Sequence, residues 1–204
     1  MKIEENIEYF KRSRLPWIWW IGPSSKPKDL GKHLVDYGFI HRYDMPGMVI
    51  ELQTNSVSVS TPEKFNIIRV KDIDTLKIWV KIASICFPMV IGKFKDDFFK
   101  FESSIGFRND RISYVGYLEG EPVASSTVFL CSGVAGIYNV GTVPEARRKG
   151  IGTAMTWIPL KHAVSSGYKV GILHSSRMGY RLYRKMGFNR CCMIGNYMWQ
   201  PEVL

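Results

Sequence analysis

Cysteine is scarce and poorly placed for cross-linking. The 204 residues hold four, Cys86, Cys131, Cys191 and Cys192, with no Cys-x-x-Cys pair and two of them adjacent. A disulfide framework and a zinc knuckle are both unsupported, and reduced thiols are expected. Long apolar runs are missing too. Leu15 to Gly22, the longest near the start, falls far short of the roughly 20 residues a membrane span needs, so no membrane partner is expected. The residues before it mix Lys2, Glu4, Glu5, Glu8, Lys11 and Arg12, which is not the basic opening of a secretory signal; the cytosol is the expected compartment. Acidic residues are depleted in one region only. Residues 1–63 carry 8 Lys+Arg and 8 Asp+Glu, whereas residues 145–204 carry 10 basic residues against 2 acidic ones. A polyanion held by the C-terminal third is the natural inference, with nucleic acid and a phosphorylated cofactor as the two candidates. A chain that is 46% hydrophobic and 23% charged is neither disordered nor fibrous. Its length is one generous domain, or a domain plus a fragment, and about 70% of the unfolded surface can be buried without a covalent staple.

The periodicities predict mixed α and β structure. Residues 1–14 read as a charged helix with Ile3, Ile7 and Phe10 along one face, and Trp17 to Ile21 as a buried strand ended by Gly22-Pro23. Ser24-Ser25 and Pro27 open a helix with Leu30, Leu34 and Val35 inward and Gly38 as the stop. Met48 to Leu52 is a strand, and 53–62 the expected linker. A second block begins with a strand at Phe65 to Val70. Asp74 is placed to cap a helix through Leu76, Trp79, Val80 and Ala83, and another helix is expected at about 95–104. Ile112 to Leu118 and Pro122 to Leu130 flank Glu119-Gly120 as a hairpin. Ile137 to Val140 is a strand, about 150–165 a helix that Pro159 should kink, Lys169 to His174 a strand, Met178 to Met186 a helix and Met193 to Trp199 a last strand. One pattern occurs twice: strand, Ser-Ser, helix, Gly-Phe, first at Ile21 to Phe39 and again at Gly171 to Phe188. Duplication of a trailing half-domain would produce it, as would chance recurrence of a common unit.

The run Val140-Gly-Thr-Val-Pro-Glu-Ala-Arg-Arg-Lys-Gly-Ile-Gly-Thr153 carries the chemistry. A strand ends and Gly150 and Gly152 open a helix, whose N-terminal amides and partial positive charge make an anion site. Arg147, Arg148 and Lys149 add full charges at the same place. The combination suits a pyrophosphate, yet it is neither a P-loop nor Gly-x-Gly-x-x-Gly.

Arg147-x-x-Gly150-x-Gly152 after a strand resembles the Arg/Gln-x-x-Gly-x-Gly/Ala signature of the GNAT superfamily of acyl-CoA-dependent N-acetyltransferases. Leu182-Tyr183-Arg184-Lys185-Met186-Gly187-Phe188 is similar to that family's Leu-Tyr-x-x-x-Gly-Phe helix end. The resemblance covers about residues 65–204. It implies a GNAT fold, a central, mostly antiparallel, twisted sheet splayed at the cofactor site and flanked by helices. Residues 1–64 then form an N-terminal partial GNAT-like unit, as in tandem members, and 65–204 the acetyltransferase domain. The implied reaction moves an acetyl group from acetyl-CoA to a primary amine by direct attack in a ternary complex. Backbone groups of Val140 and Thr142 would align the pantetheine arm at a strand bulge. Amides from Arg148 to Thr153, through Lys149, Gly150, Ile151 and Gly152, would hold the pyrophosphate. Tyr183 matches the tyrosine that protonates the departing thiolate, and Ser176 stands where a cofactor-contacting asparagine is common.

The family pattern is not complete. Many relatives carry a glutamate on the strand that ends here at Val140, and this chain has Tyr138 and Asn139 instead. His174 is the best substitute base by position and intrinsic pKa; a water chain with no dedicated base is the alternative. Three plainer readings stand beside these: Tyr183 as a core aromatic, Ser175-Ser176 as a helix cap, and Trp17, Trp19 and Trp20 as an apolar strand before an aromatic substrate wall. The missing glutamate also allows a non-catalytic acyl-CoA-binding regulator. No recognition motif accompanies the basic charge, so nucleic acid is not the expected partner. The expected partner is a small-molecule or peptide amine, and a homodimer is left open.

Overall fold

Two left-handed residues, Glu119 (φ 53°) and Gly120 (φ 88°), turn the chain between β4 (Arg111–Leu118) and β5 (Glu121–Cys131). This is the two-residue hairpin geometry whose twist matches the flanking strands. It lies in a computed structural model that describes residues 3–13, 16–52, 61–88 and 92–200. Packing divides the chain into two units: Met1–Met48, His174–Arg181 and Asn189–Leu204 make the first, Val49–Leu173 and Leu182–Phe188 the second. The fold is mixed α+β with mostly antiparallel strands flanked by helices. No helix among the described residues is long and apolar enough to cross a membrane.

In the second unit the strand order is β7 (Val170–His174, all but its last residue), β6 (Val134–Thr142), β5, β4, β3 (Phe65–Arg69). All neighbours pair antiparallel except β6 with β7, which is parallel. Helices cover both faces. Val115 packs with Leu76, Trp79 and Val80 of α3 (Ile73–Cys86). The next residue, Gly116, faces the opposite way, where an added Cβ would meet Met155 Sδ of α5 (Ile151–Ser165) at 2.8 Å. Helix α4 (Lys95–Ile105) packs on α3. The cap of α3 is Asp72, not the expected Asp74: the Asp72 carboxylate accepts from the Thr75 amide at 2.8 Å and Thr75 reaches back. Such a cap contributes about 1 kcal/mol. Helix α5 runs through Pro159 to Ser165.

The first unit holds α1 (Ile3–Ser13), β1 (Trp17–Ile21), α2 (Leu30–Asp36), most of β2 (Ile40–Glu51) and β8 (Asn189–Trp199), in strand order β1-β8-β2. Ile3, Ile7, Leu30, Leu34, Phe39 and Trp199 form its core, with Trp17, Trp19, Ile21 and Tyr197 packed against it. Three expectations need correction. Strand β1 is an edge strand, and Trp20 on it is 41% exposed. Val35 points outward, because Leu30 and Leu34 already fill the buried stripe one turn apart. Strands β2 and β8 begin earlier than their apolar runs, while α6 (Tyr180–Lys185) is shorter, with Met178 exposed ahead of it. The strand–Ser-Ser–helix–Gly-Phe pattern corresponds to β1–α2–β2 and β7–α6–β8. Of the expected linker, 53–60 lies outside the described residues.

Candidate active site

The glycine turn is built by backbone conformation. After β6 the chain makes a 3-10 turn at Pro144–Ala146 and becomes extended at Arg147. It then passes through left-handed Arg148 (φ 65°) and Gly150 (φ 80°) before α5 starts. The amides of Thr153 and Ala154 both donate to the Gly150 carbonyl, at 3.1 and 3.2 Å. Those of Arg148 to Gly152 precede the helical ladder and have no carbonyl behind them in it. Gly150 meets the conformational need. Gly152 meets a packing one: a Cβ there would stand 3.3 Å from Leu182 Cδ2. Arg147, Arg148 and Lys149 are exposed. Arg147 folds back, its Nε donating to the Thr142 carbonyl at 3.1 Å, which braces the turn against the strand end and occupies that carbonyl.

Strand β6 is interrupted just before that point. Thr127 opposes Tyr138 and Ser125 opposes Gly141, so Asn139 and Val140 together face the single Ser126. That is a β-bulge. Asn139 is left-handed (φ 53°), and the Ser125 hydroxyl donates to its carbonyl at 2.9 Å. The parallel register with β7 runs from Ala135↔Gly171 to Ile137↔Leu173 and stops. Beyond it, among the described residues, Val140, Gly141 and Thr142 have no register partner on β7, and an unpaired strand edge is of the kind an extended ligand joins. Cys86 and Phe87, at the end of α3, press on this segment: a Cβ on Gly141 would meet Cys86 Cβ at 2.5 Å and Phe87 Cε2 at 3.2 Å.

Tyr183 lies on α6 and is 8% exposed, edge-on to Phe188 with ring centroids 5.8 Å apart. Burial pushes its pKa up to about 12, partly offset by a hydrogen bond with the Thr156 hydroxyl. Thr156, on α5, donates to the Gly152 carbonyl at 2.8 Å. The side chain that neighbours the tyrosine hydroxyl is thus itself held to the first turn of the glycine helix. Thr156, Ser125 and Cys86 were not singled out from the sequence. A hydroxyl four residues after Gly152 was the available signal for Thr156, and nothing in the order of residues marks the other two.

His174 and Ser176 belong to the first unit. The His174 ring lies 5.5 Å from that of Trp20, and burial lowers its pKa below the ordinary value. Ser176 is exposed, its hydroxyl oxygen accepting the Gly179 amide at 3.1 Å, so it caps the turn that leads into α6. Val140, Thr142, Arg147 to Thr153 and Tyr183 are gathered in the second unit.

A family model described as Acetyltransferase (GNAT) family matches residues 76–188. No curated protein matches the sequence. Among solved structures, the chain is similar to a GCN5-related N-acetyltransferase from Kribbella flavida. The two are 18% identical over 98% of this chain and 74% of that one, with a TM-score of 0.71. A tandem GNAT protein from the clavulanic acid biosynthesis pathway is 12% identical over 98% of this chain and 69% of that one, TM-score 0.62. A predicted acetyltransferase with acetyl-CoA from Clostridium acetobutylicum is 17% identical over 62% of this chain and 91% of that one, TM-score 0.53.

Proposed function

The chain belongs to the acetyltransferase (GNAT) family, and from that premise we propose that it transfers an acetyl group from acetyl-CoA to a primary amine by direct attack in a ternary complex. The observation that carries this reading is the row of amides from Arg148 to Gly152 ahead of the α5 ladder, among three exposed cations. That arrangement fits a pyrophosphate. The edge at Val140 and Thr142 fits an extended pantetheine arm, through the Val140 groups and the Thr142 amide, since Arg147 holds the Thr142 carbonyl. A relative carrying acetyl-CoA supports the choice of cofactor.

When bound, acetyl-CoA supplies a thioester activated toward amines. The remaining work belongs to side chains. With its pKa near 12, Tyr183 keeps its proton at neutral pH and is a donor at its hydroxyl. His174, its pKa lowered by burial, is neutral at pH 7 and accepts a proton. The thiol nearest the bulge, Cys86, is pushed up to about 11 by burial. It holds no useful thiolate at neutral pH, which favours direct attack over a covalent enzyme intermediate. Ser176 retains its hydroxyl proton for a cofactor contact while its oxygen caps the turn.

The test is thermal unfolding of the full chain with and without acetyl-CoA at about 150 mM salt, with ATP as control. Acetyl-CoA at about 100 times its Kd stabilises the fold by roughly 2.7 kcal/mol, or about 5–10 °C in Tm for a chain of this size. Equal shifts with ATP would mark a generic polyanion patch, and no shift would remove the cofactor site. The absence of a carboxylate at Tyr138 and Asn139 supports a second reading, an acyl-CoA-binding regulator without turnover. The two separate on turnover across a panel of primary amines: only the enzyme releases coenzyme A, and only its rate falls in Tyr183→Phe.

A further inference from the structure

Within the first unit, α1 and α2 cover one face of the sheet, the face reached by Trp17, Trp19, Ile21, Tyr197 and Trp199. The β1–β8 register pairs Ile18 with Met198 and Trp20 with Asn196, so these four emerge together on the other face. Asn196 is 2% exposed, yet its side-chain Nδ2 has no hydrogen-bond partner among the described residues. A buried donor left unmet is costly and marks a missing acceptor. Directly opposite it stands Trp20, 41% exposed, with the His174 ring 5.5 Å away. Two residue pairs further along, on the same face, Arg42 Nη1 donates to Met198 Sδ at 3.0 Å, bringing a guanidinium there.

We propose that this face binds the amine acceptor and that the acceptor is an α-amino-acid unit with an apolar or aromatic side chain. Its carboxylate or carbonyl oxygen takes the Asn196 amide with Arg42 nearby, its side chain lies on Trp20, and its amine is presented to His174. The chemistry discriminates. A polyamine offers Asn196 no acceptor and brings extra positive charge toward Arg42, whereas an amino acid satisfies both groups. This rests on the transfer reading for the fate of the amine and on this face alone for its recognition. A free amino acid and a peptide N-terminus share that chemistry.

The experiment titrates L-phenylalanine, L-phenylalaninamide, L-phenylalanyl-L-alanine, 2-phenylethylamine and spermidine into the full chain by calorimetry, with and without coenzyme A. The same amines are then assayed for coenzyme A release from acetyl-CoA. Phenylalanine should bind at least 10-fold tighter than 2-phenylethylamine, which keeps ring and amine but lacks the oxygen. Asn196→Asp should erase that gap. Should this buried variant fail to fold, Arg42→Gln, at an exposed side chain, should weaken phenylalanine about 5-fold and phenylalaninamide little, and Trp20→Ala should weaken every ring-bearing amine about 10-fold. Tighter binding of the dipeptide than of phenylalanine identifies a peptide N-terminus, and the reverse a free amino acid. Equal affinity for phenylalanine and 2-phenylethylamine, or preference for spermidine, overturns the proposal. Amino-acid preference without acetyl-CoA stabilisation or turnover would keep this site and remove the transfer reading. Acetyl-CoA stabilisation without amino-acid preference would do the opposite.

Discussion

The two strand–helix–strand segments close their helices in the same way and differ in what they place at the closing position. In the first, Gly38 is left-handed (φ 85°), its amide donates to Val35, and the Phe39 amide donates to the Leu34 carbonyl at 3.0 Å. In the second, Gly187 (φ 96°) donates to Arg184, and the Phe188 amide donates to the Tyr183 carbonyl at 3.0 Å. This is the glycine-terminated helix end that satisfies trailing carbonyls. Both phenylalanines are buried, at 2% and 0% exposed. Leu34 therefore stands where Tyr183 stands, and a leucine suffices for the closure. Burying a hydroxyl carries a desolvation cost, and that burial is what raises the Tyr183 pKa. The hydroxyl is thus an addition to a scaffold that does not require it.

The largest expected effect tests that addition. Tyr183→Phe should lower kcat by about 10²–10³-fold if the hydroxyl donates a proton in the reaction, with acetyl-CoA affinity and Tm nearly unchanged. Steady-state kinetics beside a thermal melt measures both. A normal kcat would make Tyr183 the aromatic equivalent of Leu34 and nothing more. The reciprocal change, Leu34→Ala, should cost about 3 kcal/mol of stability because Leu34 is fully buried. That is roughly 6–12 °C in Tm, with acetyl-CoA affinity per folded molecule preserved.

A third contrast concerns the residue ahead of each serine pair, Pro23 in the first segment and His174 in the second. Burial lowers the His174 pKa below its ordinary 6.5. The unfolded chain then binds the proton more tightly, so the stability this group contributes is full above pH 6.5. It is lost as pH falls through the lowered folded-state value. In the rate, kcat/KM should drop on the acid side through a pKa below 6.5. His174→Gln should remove that limb and lower kcat/KM by about 10²-fold. A limb that survives the substitution would assign proton removal to water.

Much of this was legible because one chemical cause dominated each signal. Ile3 and Ile7, or Leu76 and Val80, repeat at helical spacing and bury together. Glu119-Gly120 reads as a turn because left-handed backbone is costly elsewhere. Strand limits were harder: β2 starts at Ile40, well before its apolar stretch, because ladder hydrogen bonds hold residues whose side chains are exposed. Asp72 and Asp74 are both plausible caps by type, and only the Thr75 hydroxyl decides between them. At the site, the glycine turn and Tyr183 stand in the sequence as motifs. The Asn139–Val140 bulge does not, because it depends on one extra residue relative to a partner strand. The partnership of Tyr183 with Thr156 depends equally on two helices meeting, as does Gly152 against Leu182.

The smallest effect is the most direct test of whether the two segments are structural equivalents. At both Gly38 and Gly187 an added Cβ finds ordinary contact distance, 3.9 Å to Trp199 and 3.5 Å to Ile50. Steric crowding therefore differs little, and the cost of alanine comes from holding an L-residue at positive φ, about 1–2 kcal/mol. Gly38→Ala and Gly187→Ala should lower Tm by similar amounts, about 2–8 °C each, with no loss of kcat from the first. A penalty confined to Gly187→Ala would mean that the first helix end relaxes out of the left-handed turn and that the likeness between the segments lies in sequence alone. Equal penalties, with turnover sensitive only on the Tyr183 side, would make them one scaffold used twice, once for packing and once for chemistry.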